Sequence, residues 1–255
     1  MTENHQSLTE WFETPPGQYL LAWEQDQFDL AVADLFGFNA VQLGLPQLQT
    51  LRANRMPNRW LALHEEAQAP PLKAAFITDA AALPFPAASL DLVVLPHTLE
   101  FSADPHHVLR EVERVLVPEG RVVVSGFNPA SLWGWRQGRA RMMERVHFNA
   151  FGASRLYLPE SGAFIGPWRL RDWLRLLSFE IETERYGCYR PAVRSDKWLQ
   201  RHTWMDRAGA RWWPIFGAVY FAVGVKRVRG VRLLGPAWKP RRAAATAPVS
   251  VANRR

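Results

Sequence analysis

Between Leu90 and Ser125 the sequence passes from one apolar stretch, through an amphipathic helix, to a second apolar stretch. Few folds accommodate that order with such short connections. Leu90 to Leu95 reads LDLVVL, a strand with both faces apolar. Asp104-Pro105 supplies an N-cap and a proline at the first helical position. Val108, Leu109, Val112, Val115 and Leu116 then form one stripe, with Arg110, Glu111, Glu113 and Arg114 opposite. Pro118-Glu119-Gly120 stops the helix, and Arg121 to Ser125 is the next buried strand. Two such strands joined by a helix are the unit of a parallel sheet, with a right-handed crossover.

The flanking sequence extends this α/β pattern. Leu20 to Leu35 has helical spacing, entered at Thr14-Pro15-Pro16-Gly17 and stopped at Gly37. Phe38 to Leu43 reads as a buried strand ending at Gly44, and residues 45–55 as a short helix with Pro46 in its first turn. Trp60 to Leu63 and Lys73 to Thr78 are further apolar runs. Residues 131–167 break the rhythm, being rich in Trp, Phe, Arg, Gly and Ser. Trp168 to Leu177 and Trp198 to Ala210 are predicted helices; Phe179 to Tyr189 and Ile215 to Val225 are predicted strands.

Charge is distributed unevenly. The net charge is +7, but residues 226–255 contain nine of the 31 Lys and Arg and no acid, so the preceding 225 residues are slightly acidic. The basicity is that of a tail, with 240–255 expected to be disordered, and no nucleic-acid role is expected for the domain. No uncharged apolar run reaches the roughly 18 residues of a spanning helix. The polar, acidic first 13 residues do not read as a signal peptide. One cysteine, Cys188, allows neither an internal disulfide nor a cysteine metal site, and a cytoplasmic protein is expected.

Asp79, Leu83-Pro84-Phe85, Ser89 to Val93, Leu99, Asp104-Pro105, Arg110-Glu111, Arg114 to Leu116 and Pro118 to Gly120 occur in order across about fifty residues. This stretch closely resembles the methyltransferase type 11 family of class I S-adenosylmethionine (SAM) dependent methyltransferases. Ser125 to Pro129 and the Trp-rich C-terminal part resemble its bacterial YafS-like branch. The resemblance implies an α/β fold: a doubly wound, mostly parallel seven-stranded Rossmann-like sheet with the last strand antiparallel. A single domain is expected over 1–239, and the aromatic and Arg side chains of 131–167 read either as a substrate lid or as the core and surface of an inserted helix. The resemblance also implies SAM as cofactor and methyl transfer to an acceptor that the sequence does not name, a small molecule rather than a macromolecule.

The same resemblance places the cofactor at the carboxyl ends of the strands. Asp79, with Ala80 beside it, is expected at the adenine, where a carboxylate accepts from a purine amine. Pro96 and His97 follow the fourth strand and are expected near the sulfonium. Glu65, about twenty residues past the first glycine, is the candidate for the ribose hydroxyls. The family's first strand ends in an acid followed by Gly-x-Gly-x-Gly. Here Gly44 matches the first glycine, whereas Gln42, Pro46 and Leu48 replace the acid and the other two glycines. His97 and Asn128 are the candidate catalytic groups, and His106-His107 are not spaced as a metal pair. Asp91 precedes its strand's apolar core and is expected to make a structural hydrogen bond. The altered glycine motif favours one alternative, a non-catalytic methyltransferase-like binding or regulatory protein.

Overall fold

The computed structural model describes residues 8, 10–64, 74–145, 156–159 and 162–228. Seven strands form one sheet: β1 (Asn39–Leu43), β2 (Asn58–Leu63), β3 (Phe76–Ile77), β4 (Leu90–Pro96), β5 (Leu116–Phe127), β6 (Phe179–Gly187) and β7 (Val219–Lys226). Their order is β3-β2-β1-β4-β5-β7-β6. β7 runs antiparallel between β5 and β6, and all other pairings are parallel. The expected α/β architecture with its antiparallel last strand is therefore present. The order reverses between β1 and β4, where Val41 pairs with Val93.

Core side chains alternate across the sheet, as a period of two requires. Leu92, Val94, Val123 and Phe221 face one side, where α1 (Pro15–Val32) packs. Leu90, Val93, Leu95, Val122 and Val124 face the other, against α2 (Pro105–Val115) and α4 (Pro167–Leu176). Asp104 caps α2 by accepting from the His107 N–H. The helix buries Val108, Leu109, Val112 and Val115 completely, each contributing roughly 1.5–3 kcal/mol. Further α-helices are α3 (Leu132–Arg145), α5 (Asp196–Arg201) and α6 (Trp204–Trp212).

Three local expectations are corrected. Residues 45–55 form successive turns instead of a helix. Gly44 and Leu45 adopt φ of +78° and +43°, outside the right-handed helical region. Pro118 to Gly120 lies inside β5, where the β4–β5 register jumps from Leu90↔Leu116 to Leu92↔Arg121. The proline and the left-handed Glu119 make a bulge rather than a terminus. The predicted helix over 198–210 breaks at His202-Thr203 into α5 and α6. The inserted helix that residues 131–167 allowed is present as α3, which buries Trp133, Gln137 and Ala140 along one side.

Asp91 does what its position predicts. Its Oδ2 accepts from the backbone N–H groups of Phe38 and Asn39, at 2.8 and 2.9 Å, fixing the start of β1 far from the carboxyl edge.

Candidate active site

A cavity of about 490 Å³ opens at the carboxyl ends of β1 and β4, where strand order reverses. That is where ligands bind in open α/β sheets, and the volume suits a small-molecule site. Gly44, Leu45, Asp79, Ala80, Pro96 and His97 all line it. Five residues expected at the cofactor therefore come together: Gly44, Asp79, Ala80, Pro96 and His97. Glu65 lies outside the described residues. Asn128 is not among the lining residues. Its amide donates to the Ile215 and Gly217 carbonyls and its Oδ1 accepts from the Ala130 N–H.

The loop after β1 is held by a glutamine. Gln42 is buried; its Nε2 donates to the carbonyls of Gly44, Leu45 and Leu48 at 3.1, 2.9 and 2.8 Å. Its Oε1 accepts from the N–H and hydroxyl of Thr50 at 3.1 and 2.7 Å. Leu48 packs into the core beside α1, and neither it nor Pro46 lines the cavity. At Gly44 an added Cβ would meet only the Thr98 hydroxyl, at 3.6 Å, so the backbone stays approachable. That hydroxyl donates to the Leu43 carbonyl at 2.6 Å, joining the ends of β1 and β4.

Asp79 stands exposed at the cavity's rim. Its Oδ1 accepts from the Ala81 N–H at 2.9 Å, which orients the carboxylate and leaves Oδ2 without a partner among the described residues. The apolar side chains Leu45, Ala62, Leu63 and Pro96 offer walls for a planar base. Gly162 and Ala163, from the predicted lid, also line the cavity. Ala163 is tied there by its N–H to the Glu100 carbonyl at 2.9 Å.

Beneath the cavity lies a charged cluster that sequence reasoning missed. His97, Glu24 and Glu100 are all buried. His97 Nδ1 is 2.8 Å from Glu100 Oε2, and Nε2 is 3.0 Å from Glu24 Oε1 in an ion-pair contact not aligned as a hydrogen bond. Burial works against protonating His97, but the charge of Glu24 and the hydrogen bond to Glu100 outweigh it and raise its pKa to about 10. Burial pushes the Glu100 carboxyl up, partly offset by His97 and the Phe127 N–H, which donates to Glu100 Oε1. His97 itself holds φ at +54°. The signal for Glu24 was present in the sequence: Leu20, Glu24, Phe28 and Val32 follow one another at i+4, a carboxylate within an apolar stripe.

The sheet order, with the cavity at its reversal point, is that of the Rossmann-like methyltransferase fold. The sequence matches the Methyltransferase domain family over residues 49–124. It is 32% identical over 153 residues to a demethylmenaquinone methyltransferase from Thermus thermophilus, covering 54% of this chain and 67% of that protein. It is 30% identical over 174 residues to the uncharacterized protein YafS of Escherichia coli, covering 67% of this chain and 65% of YafS, just under two thirds of that relative's length. Among solved structures, one chain of the complex between the Haloferax volcanii Trm112 methyltransferase activator and a methyltransferase superimposes with a TM-score of 0.57 at 16% identity. That match covers 89% of this chain and 99% of the other. A SAM-dependent methyltransferase from Thermotoga maritima gives 0.53 at 17% identity, over 82% and 92%. The chain belongs to the methyltransferase domain family.

Proposed function

We propose that this protein transfers a methyl group from SAM to a small-molecule acceptor. The observation that carries the reading is the cavity at the β1/β4 reversal, which joins an approachable Gly44 backbone, a rim carboxylate at Asp79 and apolar walls. The residues fit the cofactor's parts. Asp79 accepts from the adenine amine, Ala80 and Leu63 flank the base, and Gly44 lets the backbone approach the ribose and methionine portion. Pro96 and His97 line the side nearest the reacting centre. Bound SAM supplies the electrophilic methyl, and the protein's share of the work is placement and exclusion of water.

In this reading His97 is a positioning residue. With a carboxylate at each ring nitrogen and a raised pKa, it stays protonated near neutrality and serves as a fixed cation rather than a base. It holds the left-handed turn after β4 in place. Asn128 positions the turn after β5 by tying it to the start of β7. No general base is needed for an acceptor that already carries a lone pair. Gly162 and Ala163 form a wall of the cavity on the acceptor side, and the Thermus relative's name makes an apolar ring compound a reasonable acceptor class to screen.

Calorimetric titration with SAM and with S-adenosylhomocysteine tests the proposal. Saturable binding of both, at one site per chain, is expected. If neither binds at millimolar concentration, the non-catalytic alternative replaces it.

A further inference from the structure

A second cavity, also of about 490 Å³, opens at the same edge of the sheet but beyond β5, between α3 and the segment around α6. Leu132, Trp135, Met205, Trp213 and Phe216 line it, and all of these except Met205 are exposed. Residues 211–216 (Arg-Trp-Trp-Pro-Ile-Phe) are six consecutive exposed positions with four large apolar side chains. On α6, Trp204, Arg207 and Arg211 share one outward face at i, i+3 and i+7. Trp204 is 61% exposed and the neighbouring Trp212 74%. Asp206 points inward, bonded to Tyr19, Tyr189 and Arg190. On α3, Leu132, Trp135, Arg139 and Met142 form the exposed face, with the Arg139 guanidinium over the Trp135 ring. Every charge among the described side chains on these two outward faces is positive.

We propose that this face docks on an anionic lipid bilayer. Tryptophan dominates it, the side chain that settles at the level of lipid headgroups with its ring in hydrocarbon and its N–H in water. Arginines recur between the aromatics along both helices, as in interfacial helices that seat on negative lipids. Trp, Met and Arg are also enriched at protein interfaces, so a parent protein that ignores anionic vesicles would leave a protein partner as the occupant. The cavity at the centre of the face provides apolar space of a size that an acyl chain fills. β7 ends at Lys226, paired with Phe179 at the opposite end of the strands.

Co-sedimentation of the full chain with phosphatidylcholine vesicles containing about a third phosphatidylglycerol, and with pure phosphatidylcholine, tests the proposal. Binding to the anionic vesicles alone is expected. The double variants Trp204→Ser/Trp212→Ser and Arg207→Gln/Arg211→Gln should each lower the partition coefficient by roughly tenfold or more, with unchanged melting temperature, since all four side chains are exposed. The proposal is overturned if the parent does not pellet with anionic vesicles or pellets equally with both. It is also overturned if both variants pellet as the parent does, which would assign the binding to the tail.

Discussion

The side-chain amide of Gln42 donates to the carbonyl of Leu48 at 2.8 Å, across six residues of a loop with little regular structure of its own. The same nitrogen reaches two more carbonyls, and the oxygen takes both donors of Thr50. A buried group with partners on every side is costly to replace by one of different polarity. The family's acid at this position only accepts. Gln42→Glu would restore the acid and leave three carbonyls facing a carboxylate. It should lower stability by about 2–4 kcal/mol and weaken SAM binding, read by denaturant melts and calorimetry. A variant that binds SAM more tightly than the parent would show that the glutamine does not organise the loop.

Asp79 sits on the surface, so its role at the cofactor is separable from folding. Asp79→Ala removes an acceptor at the rim and the bond to Ala81. SAM affinity should fall roughly tenfold or more, with stability changed by less than about 1 kcal/mol. Unchanged affinity by calorimetry would place the adenine elsewhere in the cavity.

The parts of this fold legible in sequence are those governed by local periodicity. The Leu90–Ser125 unit, the proline-capped starts of α1 and α2, and strand β7 all follow from the spacing of apolar residues and the chemistry of caps. The helix expected over residues 45–55 does not form because their conformation is dictated from outside. Gln42 holds them, and Gly44 and Leu45 enter the segment in left-handed conformations, neither of which any helical pattern encodes. The altered acid and glycines favour a non-catalytic alternative when read alone; the structure contains a different internal support for the loop and has an open cavity beside Gly44. Glu24 was hidden for the opposite reason. Its helix is evident, but its carboxylate meets His97 only because the sheet brings β4's end beneath α1, a contact 73 residues apart in sequence.

Asp91 offers a control at the far end of the sheet. It is an acid in the recognised motif, yet it caps the start of β1 rather than facing the cavity. Asp91→Ala leaves two backbone N–H groups without their acceptor. A loss of about 1–3 kcal/mol is expected in denaturant melts, with the SAM dissociation constant of the folded protein unchanged. A selective loss of SAM affinity would contradict the placement of the site at the carboxyl edge.

The Glu24–His97–Glu100 cluster makes stability depend on pH with a definite sign. The folded-state pKa of His97 is raised from 6.5 to about 10. A raised pKa means that the folded state holds the proton more tightly than the unfolded chain. The stabilisation is therefore fully present below about pH 6.5 and is lost as pH rises through about 10. Glu100, raised by burial, acts in the same sense from the carboxylate range upward. The melting temperature should fall as pH increases across that interval. Glu24→Gln removes the leading charge that holds the proton on His97, so its melting temperature should vary less over the same range. His97→Leu leaves two buried carboxylates facing each other without their cation and should cost about 3–5 kcal/mol near neutral pH. A parent protein whose melting temperature is flat from about pH 6.5 to 10, or a Glu24→Gln variant with the parent's slope, would show that His97 is not held as a cation.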